Sequence, residues 1–117
     1  MRFFFTKADR LLKRFDFLRL AAKGRQQQNK YFVAVFAPGK TERTRLGITV
    51  SRKVGNAVVR NRIKRFTREY FRLNRHKLTG NRDINVIAKK EAVNLSSAQA
   101  CLSLQNVFDK ATRSFYH

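Results

Sequence analysis

Between Ser51 and Arg75 the chain reads SRKVGNAVVRNRIKRFTREYFRLNR, in which cations recur every few residues and Glu69 is the one acid. Guanidinium and ammonium groups in such a run do one kind of chemistry well: they donate charge-assisted hydrogen bonds to phosphate oxygens, arginine with a planar fork. At about 100° per residue, Val59, Ile63, Phe66, Tyr70 and Leu73 fall on one stripe of a helix and predict its buried face. Arg60, Lys64, Arg68, Arg72 and Arg75 fall on the other side, with Arg65 and Asn61. Charges on a helix are ordinarily a solvated face of mixed sign, and here the mixture is missing. Like charges four residues apart disfavour a helix by about 0.2–0.5 kcal/mol per pair, so the series predicts a polyanion that compensates it. Gly55 supplies a turn before the helix. Asn56 is its expected cap, accepting from a first-turn N–H, although those N–H groups could instead face a phosphate.

These cations belong to a chain of 117 residues carrying 27 Lys and Arg against 7 Asp and Glu, a formal net charge of +20. Nucleic acid is the partner such a balance favours, and an anionic membrane would also attract it. No apolar run is long enough to span a bilayer, and MRFFFTKADR lacks the apolar centre of a secretory signal, so the expected location is cytoplasmic. With 43% hydrophobic residues, one domain over residues 1–117 is expected. The single Cys101 excludes an internal disulfide and is expected as a buried thiol on a helix's apolar face.

Catalytic residues are hard to assemble. His76 ends the basic helix and His117 ends the chain, and neither has a cysteine or acidic cluster in sequence to complete a metal site. Asp9, Asp16, Glu42, Glu69, Asp83, Glu91 and Asp109 are scattered, unlike the acidic grouping of a two-metal nuclease. There is no glycine-rich phosphate loop. Base recognition is better supplied: Phe15, Phe17, Tyr31, Phe32 and Phe36 are concentrated before and within one predicted strand, about three of them as core. A minority on a free sheet face could stack on single-stranded bases, at about 1–3 kcal/mol per base, with Thr49 and Ser51 offering hydroxyls nearby. The basic helix and this surface are expected as separable sites.

The elements that must position these residues follow from periodicity and punctuation. A helix is expected from about Lys13 to Lys23, stopped at Gly24, and the polar run Arg25 to Lys30 reads as a connection. Tyr31 to Ala37 reads as a strand closed by Pro38 and Gly39. Arg45 to Ser51 alternates, with Leu46, Ile48 and Val50 on one face and Arg45, Gly47, Thr49 and Ser51 on the other. After the basic helix, Thr79, Gly80 and Asn81 break the chain, and Asp83 to Lys89 forms another strand. A last helix opens at Ser96 with Gln99 three residues on, a capping box, and buries Cys101, Leu104, Phe108 and Ala111. The order predicts an α+β fold, a two-layer α/β sandwich whose basic helix is the crossover of a strand-helix-strand unit, right-handed by default if its strands are parallel neighbours.

The run Lys53 to Arg68, KVGNAVVRNRIKRFTR, resembles the signature of the protein subunit of bacterial ribonuclease P, with its Arg-Asn-Arg helix at Arg60, Asn61 and Arg62. DFLRLAAKG, RLGITVSRK and INVIAKK extend the resemblance, in the family's order, over nearly the whole chain. The resemblance implies a left-handed crossover instead of the default. It implies a large catalytic RNA as partner, contacted by Arg52, Lys53, Arg60, Asn61, Arg62, Lys64, Arg65 and Arg68, with Mg²⁺ held by that RNA, which cleaves the 5′ leader from precursor tRNA. It also implies a leader cleft made by Phe17, Ala21, Val33, Val35, Thr49 and Ser51. Ala21 stands where a second helical aromatic is common and Val35 where some members carry tyrosine, which shifts stacking toward Phe17 or Tyr31. A structural ribosomal-type RNA-binding protein would share the cationic helix but not the Arg-Asn-Arg signature. A DNA-binding helix-turn-helix would need a short second helix where this chain places strands.

Overall fold

Alternation divides the strand Phe32–Pro38 between two faces: Phe32, Ala34 and Phe36 enter the main core, whereas Val33, Val35 and Ala37 belong to a smaller apolar cluster on the other side. In this computed structural model, which describes residues 7–39, 41–77 and 81–114, that strand is β2. With β1 (Arg25–Gln28), β3 (Arg45–Thr49) and β4 (Arg82–Ala88) it forms a four-stranded sheet in the order β1-β2-β4-β3. The β1–β2 and β2–β4 pairs are antiparallel, whereas β3 and β4 are parallel neighbours. A parallel pair needs a crossover, and the basic helix α2 (Ala57–Asn74) supplies it. With α3 (Ser97–Ser114), α2 covers the main-core face, while α1 (Arg14–Lys23) packs on β2 and β4 from the other side. Among the described residues no helix is long and apolar enough to cross a membrane.

Local chemistry sets the helix ends. The Asn56 side chain accepts from Val59 N at 3.0 Å at the start of α2. Ser96 and Gln99 form the reciprocal capping box, Gln99 N to Ser96 Oγ at 3.2 Å and Ser96 N to Gln99 Oε1 at 2.9 Å.

Three expectations are corrected. The polar run Arg25 to Lys30 contains the edge strand β1, which carries no apolar alternation because its side chains are exposed or half-buried. It is held by pairing with β2 and by Asn29, whose Oδ1 accepts from Tyr31 N and Phe32 N and whose Nδ2 donates to Ser103 O on α3. The buried stripe of α2 is rotated from the expected one: Ile63, Thr67, Tyr70 and Phe71 are buried, Val59 and Phe66 are partly covered, and Leu73 is 47% exposed. Thr67 can be buried because its hydroxyl donates to Ile63 O within the helix. Cys101 is exposed. It lies one position off the α3 stripe of Ala100, Leu104, Val107, Phe108 and Ala111, and faces a shallow groove beside Phe66 and Tyr70.

Two fully buried carboxylates tie the elements together. Asp9 accepts from Arg43 Nη1 and Arg75 Nη2, both at 2.9 Å, joining the 3₁₀ turn Lys7–Asp9 to the β2–β3 connection and to the end of α2. Asp83 on β4 accepts from Arg45 Nε at 3.0 Å, from Arg45 Nη2 at 2.8 Å and from Arg19 of α1. Asp16 adds a contact to Arg45 at 3.5 Å. The bonds to Asp83 hold the Arg45 guanidinium above its ordinary pKa in spite of its partial burial. Asp83→Asn therefore leaves two half-buried arginines short of their countercharge, and chemical denaturation is expected to show a loss of about 3 kcal/mol or more. A loss below about 1 kcal/mol would show that the carboxylate does not hold α1 to the sheet.

Candidate nucleic-acid interface

On the α1 side of the sheet, the strand register sorts side chains into rows. Ala37, Asp83 and Arg45 form the row closed by the Asp83 ion pairs, and Gln26, Val35, Asn85 and Gly47 form the next. The third contains Gln28, Val33, Ile87 and Thr49. Burial separates the last two: Val35, Asn85 and Gly47 are buried beneath α1, whereas Val33 and Ile87 are half-buried and Gln28 and Thr49 exposed. The short helix thus covers two rows and leaves one open, a strip with apolar centre and polar ends. Thr49 Oγ1 is oriented by Asn85 Oδ1 at 3.2 Å.

Phe17 marks the boundary. A Cβ on Gly47 would lie 2.6 Å from Phe17 Cε1 and 2.9 Å from its Cζ, so the ring rests on bare backbone. The ring stays half-buried there. Phe17 then lines a cleft of about 310 Å³ with Leu11, Leu12, Gly47 and Ile48, and Lys64 and Arg68 of α2 line it too. The aromatic surface and the cationic helix adjoin at this cleft, whose lining includes Phe17, Lys64 and Arg68 but none of Thr49, Ile87, Val33 and Gln28. Arg10, Leu11, Leu12, Gly47 and Ile87 carry no site signal in the sequence motifs; Gly47, a glycine inside a clean alternating strand, carries only a signal of close approach.

The other residues expected in a leader cleft divide. Ala21 is exposed on α1 four residues after Phe17, and Ser51 is exposed just beyond β3. Val35 is only 6% exposed beneath α1, so it supports the cleft without offering a surface. Tyr31 belongs elsewhere: it packs against the main core and lines a groove with Leu102, Ser103 and Asn106 of α3. Phe15 is 62% exposed, while Phe32 and Phe36 are core.

The cations also divide. Asn61 and Arg65 are exposed, Arg60, Lys64 and Arg68 half-exposed, and Arg52 and Lys53 exposed in the turn ahead of α2. Arg62 is committed in part, since its Nη2 donates to Val93 O at 2.6 Å and ties α2 to the 3₁₀ segment Lys90–Asn94. Arg75 leaves the expected ridge for Asp9 and the Phe71 ring, 5.4 Å away. Arg72 pairs with Glu69 at 2.8 Å, and that bond holds the carboxyl below its ordinary pKa and the guanidinium above its own. Among the described residues no three His, Cys, Asp or Glu side chains are grouped to hold a metal ion. The oxygens of Asp9, Asp16 and Asp83 are turned toward arginines, an arrangement that does not fit a divalent cation.

A sheet with one open row, flanked by a helix of outward cations, defines an RNA-binding α+β protein. The ribonuclease P family model matches residues 5–112, and the chain belongs to that family. It is 53% identical over 110 residues to the ribonuclease P protein component of Desulforapulum autotrophicum, covering 94% of both chains, and 42% identical over 107 residues to that of Bacillus pumilus, covering 90% of this chain and 89% of the other. Its fold superposes on the Staphylococcus aureus RNase P protein with a TM-score of 0.85 at 40% identity, covering 90% of this chain and 96% of that one. For the Thermotoga maritima RNase P protein the TM-score is 0.79 at 36% identity, covering 86% and 96%.

The Phe17–Gly47 contact makes a thermodynamic cycle informative. Gly47→Ala is expected to cost about 1–3 kcal/mol by pushing the ring off the strand. In a Phe17→Ala background that cost should fall, giving a coupling energy of about 0.5 kcal/mol or more. Strict additivity in urea denaturation would show that the ring does not rest on Gly47.

Proposed function

We propose that this chain is the RNA-binding subunit of a ribonuclease P holoenzyme, which holds a catalytic RNA with the outer face of α2 and the 5′ leader of precursor tRNA on the open row of the sheet. The single observation that carries this reading is the cleft next to that row, lined by none of its four residues, where Lys64 and Arg68 of the Arg-Asn-Arg helix meet Phe17 and Gly47. There phosphate-binding cations and an apolar ring face the same space, which suits a strand with a charged backbone and stacking bases.

The chain's own part in the reaction is positional. Arg60, Asn61, Arg65 and Arg68, with Arg52, Lys53 and Lys64, engage RNA phosphates; Arg62 shares its guanidinium between RNA and Val93. Phe17 supplies an apolar wall for leader bases and Thr49 a hydroxyl. Ala21 and Ser51 flank that path, Ala21 with no ring to stack. Bond cleavage belongs to the RNA partner and the Mg²⁺ it holds, and the site of action is the cytoplasm. The β3-α2-β4 crossover is left-handed on the same family reading. A ribosomal-type RNA-binding role has no observation in its favour beside the family match.

Reconstitution tests this. RNA-free protein should leave precursor tRNA uncut, and addition of the protein to its RNA subunit with Mg²⁺ should raise 5′ cleavage at low salt. If about six phosphates are engaged, affinity for the RNA subunit should fall with salt at a log-log slope of roughly −4 to −5. Replacing Arg60, Arg62, Arg65 and Arg68 by alanine should weaken assembly and flatten the slope by about 0.7–0.9 for each phosphate no longer neutralised. A folded quadruple variant that keeps affinity and slope would overturn the assignment, as would metal-dependent cleavage by the protein alone.

A further inference from the structure

Tyr31 lines a groove that neither the α2 face nor the open row uses. The groove has a volume of about 370 Å³ and runs between the β1–β2 turn, at Asn29, Lys30 and Tyr31, and the α3 residues Leu102, Ser103 and Asn106, with Gln99 at one end. Asn29 clamps the two sides together. Its Nδ2 donates to Ser103 O at 2.8 Å and to Asn106 Oδ1 at 3.1 Å, and its Oδ1 accepts from Ser103 Oγ at 3.3 Å as well as from the backbone of Tyr31 and Phe32. The groove is therefore formed before any ligand arrives.

That clamp and the capping box sort the polar atoms of the groove. Asn106 Oδ1 is taken by Asn29 and Gln99 Oε1 by Ser96 N at 2.9 Å, so among the described residues each amide has its NH₂ group left to donate. Lys30 Nζ lies 5.5 Å from the centroid of the Tyr31 ring and adds a positive charge. The apolar floor is that ring and Leu102, which is 68% exposed. Donors and a cation around an apolar floor fit a flat ligand with acceptors on its rim and an anion attached. A nucleotide is such a ligand: its base offers carbonyl oxygens and ring nitrogens at the edge and a face that covers leucine and tyrosine. An apolar peptide would cover Leu102 but leave the amide donors and the ammonium without acceptors. A second copy of a chain with net charge +20 would be repelled. The groove beside Cys101 differs, since the Glu69 carboxylate lines it.

We propose that the groove between the β1–β2 turn and α3 takes one unpaired nucleotide of the RNA subunit, with its base against Tyr31 and Leu102 and its phosphate at Lys30. The inference rests on the reading given above, in which that RNA lies on α2. Helix α3 packs beside α2 on the main-core face, so the groove belongs to the side of the sheet away from the open row. The RNA on α2, and not the leader, is the source that this side favours. Gln99 and Asn106 lie seven residues apart on α3, about 10 Å, so one amide serves the base and the other the ribose and phosphate beside it.

The test uses the full chain with its RNA subunit, and the holoenzyme reconstituted with precursor tRNA. A photoreactive side chain at Leu102 should label an unpaired nucleotide of the RNA subunit. Lys30→Gln combined with Leu102→Gln, both at exposed positions, should lower affinity for the RNA subunit about tenfold. The salt slope should flatten by about 0.7–0.9 for the one phosphate no longer neutralised, whereas Leu102→Gln alone should lower affinity and leave the slope unchanged. Chemical probing of the RNA bases should find the labelled nucleotide protected by wild-type protein and reactive again with the double variant, while protections that depend on Arg60 and Arg65 remain. Wild-type affinity and an unchanged pattern of protection in the double variant would overturn the nucleotide site and leave the α2 reading intact. So would a Leu102 probe that labels only the leader, the tRNA body or protein. Wild-type protein that fails to bind the RNA subunit would overturn both.

Discussion

Asp83 is the residue on which the geometry of this protein turns. Its carboxylate is fully buried on β4 and receives Arg45 from the neighbouring strand and Arg19 from α1. A buried charge is tolerated only when it is paired and hydrogen-bonded, so α1 is drawn to the end of the sheet where Asp83 lies. That anchoring has a consequence one strand length away. With only ten residues, α1 covers two rows of the sheet and leaves Thr49, Ile87, Val33 and Gln28 uncovered. The open row is thus produced by where the ion pair fixes the helix.

The same economy of acids divides the cations of α2. In a chain with 7 acids and 27 cations, few carboxylates are present to neutralise a guanidinium. Asp9 takes Arg75 and Arg43, and Glu69 takes Arg72, so the far end of α2 is neutralised or tied down. Arg60, Lys64, Arg65 and Arg68 precede Glu69 on the helix; among the described residues none of them forms an ion pair, although Arg65 is near enough for Glu69 to feel its charge. Phosphates between them would relieve their mutual repulsion, which is why the proposed reading puts RNA against these side chains.

Much of this is legible in the sequence because it is written in periodicity. The alternation of Arg45 to Ser51, the capping box at Ser96 and the Asn56 cap are local signals, and the structure repeats each. Departures arise where tertiary partners decide. Strand β1 is polar throughout and exists because β2 and Asn29 supply its partners. Thr67 is buried because its hydroxyl is satisfied inside the helix, and Leu73 is displaced outward by the same rotation. Tyr31 reads as an aromatic near the strand face, yet it turns to α3, and Val35 lies under α1; neither outcome follows from spacing. The basic helix is visible from its charges alone, but its meeting with Phe17 depends on the glycine at position 47, whose meaning emerges only with the ring resting on it.

The central claim is that two RNA elements meet this chain on two faces, the catalytic RNA on α2 and the leader on the open row. Site-specific photo-cross-linking in the reconstituted holoenzyme tests it directly, with a photoreactive side chain placed in turn at Thr49 and at Asn61, both exposed. The account predicts that the probe at Thr49 labels leader nucleotides of precursor tRNA and that the probe at Asn61 labels the RNA subunit. Labelling of the RNA subunit alone from Thr49, with the leader untouched, would contradict it.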